Sequence, residues 1–311
     1  MGRLPPVAAG AAFGVLAGLM YVAAMLGTPG ALILVYLTQL PLFVAGLWLG
    51  VRAVVAAGVT GSLVLLAVSD LLGAALFAAL NAVPVGLLVR QALLARRRPD
   101  GTYAWYPPGL LMAWLTGYAL AGIGAAILLQ GGPGVMHESL RGVLGTVLDR
   151  MYGSSVANRD DVASTLASII PGVVAASWMV TAIVNAALAQ GVLARFAANW
   201  RPPPRLIALE LPIWLHIALG ITAAAVVLGG TARFIGINAM IALSVAFCLG
   251  GLAVLHAAAR RLSHPTMVLV FFYTTAALFG WPFLVAAVLG LLEPWLGLRR
   301  RLVPQGVAND G

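Results

Sequence analysis

Residues 31–50 read ALILVYLTQLPLFVAGLWLG and carry no charged side chain. As a helix, these residues would extend about 30 Å, which is the thickness of the hydrocarbon core of a bilayer. A helix that is apolar on every side must be buried in a large core or lie in lipid. The stretch therefore predicts a membrane-spanning helix.

The rest of the chain repeats this pattern. Hydrophobic residues make up 62% of the 311 positions and charged residues only 9%, with a mean hydropathy of +1.01. So few polar side chains cannot cover the surface of a water-soluble protein. We therefore predict an all-α, polytopic transmembrane bundle in which residues 1–311 form a single integral membrane domain. Turn residues and charges divide it into about nine or ten spans, at 7–26, 31–50, 52–69, 71–93, 109–130, 167–194, 211–229, 233–258 and 266–298.

The last of these stretches, 266–298, is too long for one upright helix and has Gly280-Trp281-Pro282 in its middle. Glycine and proline interrupt helices, so we expect two short helices that form a hairpin. A single span that is strongly kinked and tilted is the alternative.

The arginines predict an orientation, because loops with an excess of basic residues stay in the cytoplasm. The first span follows Arg3 and resembles a secretory signal, but it ends in a poor cleavage site, so we expect an uncleaved helix. With a cytoplasmic N-terminus and a C-terminal hairpin, four arginines lie outside: Arg141, Arg150, Arg159 and Arg233. The other 14 lie inside: Arg3, Arg52, Arg90, Arg96, Arg97, Arg98, Arg195, Arg201, Arg205, Arg260, Arg261, Arg299, Arg300 and Arg301. This distribution predicts a multi-pass membrane protein with both termini in the cytoplasm, its arginines beside anionic headgroups and not on nucleic acid.

One loop, residues 131–167, is long enough to hold structure outside the membrane. Its apolar residues recur at helical spacing: Val135, Leu140, Val143, Leu144, Val147, Leu148 and Met151. The pattern predicts an amphipathic helix on the outer membrane surface, either a lid packed on the bundle or a mobile gate over a binding site. Asp160 and Asp161 suit the N-terminus of the next span.

Polar side chains within the apolar spans are candidate ligand contacts, since an unpaired amide or imidazole group in hydrocarbon is costly. Pro41 and Pro84 interrupt two spans beside Gln39 and Asn81, which frees backbone carbonyls there. Each residue alone favours an interhelical hydrogen bond, but several broken helices with amides near mid-depth together predict a small-molecule cavity. The candidate ligand-binding residues are Tyr36, Gln39, Asn81, Trp178, Asn185, His216 and Asn238.

Gly10, Gly14 and Gly18 form a stripe without side chains along the first span. A stripe of this kind lets another helix approach closely. Two interpretations remain open: packing against a helix of the same chain, and docking of a partner subunit.

Motifs for catalysis and metal binding are missing from the sequence. It has no P-loop, no Gly-rich dinucleotide turn and no His-Glu-x-x-His. It also lacks the Ser-Lys, Gly-x-Ser-x-Gly and paired-Asp arrangements of hydrolases, and no His or acid has partners at metal-ligand spacing. Glu293 lies near the cytoplasmic end of the last helix, where we expect it either to snorkel to the interface or to pair with Arg299. We therefore expect no enzymatic activity, metal or cofactor.

Several stretches together resemble the YybS-like family of bacterial inner-membrane proteins, over nearly the full length. They are residues 39–50 (QLPLFVAGLWLG), 185–195 followed by 210–214 (ELPIW), and 251–256 (GLAVLH) ahead of Tyr273 and the Arg-rich end. That family is distantly similar to the S components of energy-coupling-factor vitamin transporters. The resemblance implies a membrane-embedded small-molecule binder that works with a separate scaffold and ATPase. In S components a small-residue stripe on the first helix docks to the scaffold, and Gly10, Gly14 and Gly18 occupy the corresponding position. The predicted spans outnumber the usual six.

Two functions are therefore expected as alternatives. The first is a transporter-type component that binds a small solute between kinked helices without chemistry on it. The second is a membrane scaffold or assembly factor that uses the glycine stripe and the outer amphipathic helix to bind other envelope proteins.

Overall fold

A computed structural model describes residues 5–23, 27–152, 158–196, 198, 200–204 and 209–302, so the predictions for Arg3 and Arg205 lie outside the described residues. The described part is helical apart from one short β-hairpin. The helices are α1 Pro6–Val22, α2 Pro29–Tyr36, α3 Gln39–Leu49, α4 Val51–Val68, α5 Leu71–Phe77, α6 Val83–Ala92, α7 Pro108–Leu129, α8 Pro133–Tyr152, α9 Arg159–Arg195, α10 Ile213–Leu228, α11 Gly230–Ala259, α12 Pro265–Phe279, α13 Trp281–Leu296 and α14 Leu298–Leu302. A π-helical turn, Ala78–Ala82, joins α5 to α6, and the antiparallel hairpin pairs β1 Ala95–Arg97 with β2 Tyr103–Trp105.

Six helical segments in the described residues are long and apolar enough to cross a bilayer. They are Pro29–Leu49, Val51–Val68, Leu71–Ala92, Pro108–Leu129, Arg159–Arg195 and Gly230–Ala259. The bent pair of α12 and α13 would make a seventh, while α1 and α10 are apolar but shorter. The predicted membrane helical bundle is confirmed, whereas the count of nine or ten spans is not.

The C-terminal apolar stretch consists of two helices, as the Gly-Trp-Pro sequence predicts. α12 and α13 meet at an angle of 117°. Gly280 between them has a φ of +72°, in the left-handed region that residues with a side chain rarely adopt. The proline at the second position of α13 suits a helix start, because its missing N–H would be unpaired there in any case.

The chain divides into two compact units. The first comprises Met1–Leu111 and Val180–Arg205, and the second comprises Met112–Met179 and Leu206–Gly311. The long helix α9 supplies its N-terminal part to the second unit and its C-terminal part to the first.

The first unit has a hydrophobic core that α3, α4, α5, α6 and the end of α9 share. Its fully buried large side chains include Leu42, Val54, Leu65, Phe77, Val85 and Val89. Two aromatic edge-to-face pairs join α1 to this core, Phe13 with Trp48 and Tyr21 with Phe77. This packing holds the interrupted helices α2–α3 and α5–α6 in one body.

The glycine stripe of α1 packs against α4 of the same chain. A Cβ at Gly10 would overlap the backbone of Ala53, and one at Gly14 would overlap Ala57 and the Thr60 hydroxyl. The Thr60 hydroxyl lies 3.1 Å from the Ala11 carbonyl, to which it can donate across the contact. The stripe is therefore an internal helix contact, and a partner subunit would have to dock elsewhere.

Replacing Gly14 by Ala is expected to destabilise the protein by about 1–3 kcal/mol, because the added methyl group overpacks the α1–α4 contact. Replacing a helical glycine by alanine usually raises stability, because alanine has the higher helix propensity, so a loss of stability here is the opposite of the usual effect. Thermal unfolding in detergent measures the effect. Gly191→Ala is the matched control, since a Cβ at Gly191 in α9 meets nothing within 4 Å. Equal stability of the two variants would show that the contact is looser than described.

In the second unit, α11 and α13 approach each other at backbone distance. A Cβ at Gly251 would overlap the Ala286 carbonyl, and one at Gly290 would overlap the Phe247 carbonyl. Small residues on both helices allow this approach, as is usual where membrane helices pack closely. Among the described glycines of the second unit, those of the α11–α13 contact mark the closest approach of two helices.

The predicted amphipathic helix is present as α8. Its apolar side chains Val135, Val143, Val147 and Met151 are exposed. Its charges pair with the start of α9, where Arg159 contacts Asp149 and Arg141 lies 3.8 Å from Asp160. Asp160 and Asp161 lie in the first turn of α9, as expected, but that helix begins at Arg159, well before the predicted start at 167.

Candidate functional site

The second predicted span is interrupted between α2 and α3. Pro41 has no N–H, and the Leu37 carbonyl accepts from Leu40 N at 3.0 Å instead. The Tyr36 carbonyl accepts from the Asn185 side chain, with Nδ2 at 2.7 Å. A side chain from α9 thus satisfies a backbone group at the helix break.

The fourth predicted span contains the π-helical turn Ala78–Ala82, which is followed directly by Val83 and Pro84 at the start of α6. Such turns are frequent at functional sites because they displace the backbone from the regular helical ladder. Gln39 Nε2 donates to the Leu80 carbonyl within the turn at 3.0 Å. Asn81, the next residue, is buried.

The two interrupted helices and α9 therefore bring three amide residues into the first unit, Gln39, Asn81 and Asn185, which we call the amide cluster. Gln39 is 2% exposed and Asn185 is 1% exposed. Their side-chain nitrogens face backbone carbonyls, which determines the orientation of each amide. Gln39 Oε1 and Asn185 Oδ1 are buried and accept no hydrogen bond within the described structure. An unsatisfied buried acceptor costs about 1–3 kcal/mol, so these two oxygens favour a polar partner such as a ligand or a water molecule.

The acidic residues of the first unit are occupied elsewhere. The described part of this unit holds two, Asp70 and Asp100. Asp70 caps α5 by accepting from Gly73 N at 2.6 Å. Asp100 lies in the turn of the β-hairpin, where hydrogen bonds from the Thr102 hydroxyl and N–H hold the pKa of its carboxyl below the ordinary value. Neither described carboxylate of the first unit therefore belongs to the amide cluster.

Tyr36 contributes through its backbone and not through its ring. Its residue surface is 57% exposed, while its carbonyl binds Asn185. Of the seven candidate residues, Tyr36, Gln39, Asn81 and Asn185 lie in the first unit, and Tyr36 takes part through its carbonyl.

Asn238 is a structural residue of the second unit. Its Oδ1 accepts from Gly172 N at 2.6 Å, and its Nδ2 donates to the carbonyls of Ser168 and Phe234 at 2.9 and 2.8 Å. Gly172 N and the Ser168 carbonyl would be partners in a regular helix. The Asn238 amide therefore bridges the helical ladder of α9 beside Pro171 and has no free donor for a ligand.

His137 extends this bridge to α8. Its Nε2 lies 3.2 Å from the Ser164 carbonyl and 3.1 Å from Ser168 Oγ on α9. Its ring also meets Phe234 edge to face, with centroids 6.0 Å apart. The spacing of residues along the chain does not indicate that this histidine faces two serines of another helix.

The other two candidate residues lie in aromatic surroundings of the second unit. Trp178 stacks on Tyr118 with ring centroids 5.8 Å apart. His216 lies between Phe247 and Trp295 at centroid distances of 5.0 and 5.6 Å. Its ring nitrogens make no hydrogen bond of standard geometry with described residues, although the Pro212 carbonyl lies near the ring. Neither residue belongs to the amide cluster.

Two charged residues have structural positions. Arg201 was expected beside lipid headgroups but is buried, and it donates to the carbonyls of Ala92 and Tyr106 at 3.1 and 2.8 Å. Burial lowers the pKa of its guanidinium. Glu293 pairs with Arg299 at 3.1 Å, as predicted.

Among the residues that the structure describes, no three His, Cys, Asp or Glu side chains are grouped to hold a metal.

The chain belongs to a family described as predicted membrane proteins and designated DUF2232, whose sequence profile matches residues 15–293. The match covers most of the chain and agrees with its apolar helices. No curated protein and no solved structure matches it significantly.

Proposed function

We propose that this protein is a transporter-type component that binds a small solute at the amide cluster and performs no chemistry on it. The supporting observation is the pair of buried, unpartnered oxygens on Gln39 and Asn185. Both side chains bind backbone at interrupted helices, one at the α2–α3 break and one at the π-helical turn. Substrate sites of membrane transporters are built from broken helices of this kind.

The proposal includes the cellular setting that the sequence suggests. We infer a multi-pass protein of the bacterial inner membrane with cytoplasmic termini, since this orientation puts most arginines inside. The resemblance to S components supports a separate scaffold and ATPase as partners. The glycines expected to dock such a scaffold are covered by α4, so the docking face must lie on another surface.

The alternative function, a scaffold or assembly factor, has less support. It relied on two faces, the glycine stripe and the outer amphipathic helix. The stripe is covered within the chain, and only the exposed apolar side chains of α8 remain as a possible interface. Cross-linking separates the two functions: a transporter is expected to yield an ATPase-linked partner, and a scaffold is expected to yield envelope or division proteins.

Native mass spectrometry of gently extracted protein tests the proposal. We expect a co-purifying small molecule in the wild type and loss of about tenfold or more in affinity in Gln39→Leu or Asn185→Leu, because each removes an acceptor for the solute. Gln91→Leu is the control. It removes a buried amide of the same unit ten residues beyond Asn81, about 15 Å along the helix.

The variants must keep their fold for this comparison, which circular dichroism and thermal unfolding verify. If the wild type carries no small molecule, and growth and stability are unchanged in both variants, the solute-binding function is wrong.

A further inference from the structure

We infer that the solute presents a positive pole to the amide cluster, either an alkali metal ion or an ammonium group with N–H donors, and that anions are excluded. This inference rests on the proposed function and specifies the chemical class of the ligand. It follows from which polar atoms of the cluster are hydrogen-bonded to the protein and which are not.

The side-chain nitrogens of Gln39 and Asn185 donate to backbone carbonyls. Both Nδ2 hydrogens of Asn185 go to backbone carbonyls, those of Tyr36 at 2.7 Å and Thr181 at 2.8 Å. Gln39 Nε2 donates to the Leu80 carbonyl. The unpartnered acceptors of these two amides are Oε1 and Oδ1, and an oxygen acceptor binds a cation or a hydrogen-bond donor.

Asn185 binds backbone at the α2–α3 break, and Gln39 lies at the same break although its side chain binds backbone in the π-helical turn. Asn185 binds the carbonyl of Tyr36, and Gln39 begins α3 three residues later. Three residues correspond to about one helical turn, roughly 5 Å. We place the ligand beside this break, next to both residues.

An anion would find few donors here. The N-terminus of a helix normally offers free backbone N–H groups to an anion. At the start of α3, Pro41 has no N–H, and the N–H of Leu40 is bonded to the Leu37 carbonyl. The first turn of α3 therefore offers an anion fewer N–H groups than a regular helix start.

Because no carboxylate belongs to the cluster, it favours a ligand with one positive charge over a ligand with two. Calcium and magnesium sites use carboxylates, and both described carboxylates of the first unit are held elsewhere, Asp70 at the start of α5 and Asp100 in the hairpin. Neutral carbonyl oxygens are the ligands that hold monovalent ions in membrane proteins. We therefore exclude divalent metals from the ligand class.

Thermal unfolding of the full chain in detergent tests this inference. The probes are sodium, potassium and methylammonium chloride, with tetramethylammonium chloride at the same ionic strength as a cation without N–H donors. We expect at least one of the first three to raise the midpoint in a saturable manner, because a ligand that binds only the folded state stabilises it. Tetramethylammonium is expected to have no such effect. A response to methylammonium alone identifies an ammonium site, and one to sodium or potassium identifies a metal-ion site.

The variants relate the response to the cluster. Gln39→Leu and Asn185→Leu are expected to raise the concentration for half-maximal effect at least tenfold, while Gln91→Leu leaves it unchanged. The inference is overturned if no probe acts, if tetramethylammonium acts equally, or if the variants respond like the wild type. It also fails if the molecule found by mass spectrometry is anionic, in which case solute binding itself stands. Absence of any bound solute, together with unchanged growth and stability in both variants, instead contradicts the proposed function.

Discussion

Gly251→Val is expected to destabilise the second unit by about 3 kcal/mol or more. Its side chain would occupy the space of the Ala286 carbonyl, so α11 and α13 would have to separate. Overpacking of a close contact typically costs about 1–3 kcal/mol, and here the obstacle is backbone, which cannot rotate away. Gly290→Val tests the other side of the contact, against the Phe247 carbonyl, and the same loss is expected.

Thermal unfolding in detergent, or loss of the folded fraction during extraction, measures this effect. Gly220→Val in α10 is the matched control, because a Cβ at Gly220 meets nothing within 4 Å. A midpoint for Gly251→Val equal to that of the control would mean that α11 and α13 do not touch at backbone distance.

Glu293→Gln is expected to cost about 3–5 kcal/mol, the range for removing one partner of a buried ion pair. Glu293 is 6% exposed and accepts from Leu298 N and Arg299 N at 3.0 Å each, as well as from Arg299 Nε. Arg299 also donates to the Leu209 carbonyl at 2.6 Å. The carboxylate therefore joins the end of α13, the start of α14 and the segment before α10.

Urea or thermal unfolding of single and double variants measures this contribution. The double variant Glu293→Gln, Arg299→Gln is expected to lose less than the sum of the single losses, since neither charge is then left buried alone. Glu138→Gln is the control, because its pair with Arg141 at 3.6 Å is exposed and exposed pairs contribute little. Additive losses would show that Glu293 and Arg299 act independently.

The interrupted spans were predictable because each has a local cause. Pro41 and Pro84 lack an N–H, and Gly280 accepts a positive φ, so the breaks follow from residues at the breaks themselves. The amphipathic helix α8 and the Glu293–Arg299 pair were predictable for the same reason, since their partners are near in sequence. The start of α9 was misplaced because charged residues at 159–161 interrupt the apolar pattern without interrupting the helix.

Apolar composition and periodicity alone determined that this chain is a helical membrane protein, since no water-exposed arrangement could accommodate so few polar groups. Tertiary structure decided what its buried amides do. Asn238 and Asn185 are the same residue type in similar surroundings, yet Asn238 is satisfied by Gly172 and Ser168, whereas Asn185 retains an unpartnered oxygen beside Tyr36. Those partners are 66 to 149 residues away along the chain, and a hydrogen bond depends on distances in space that no local pattern records.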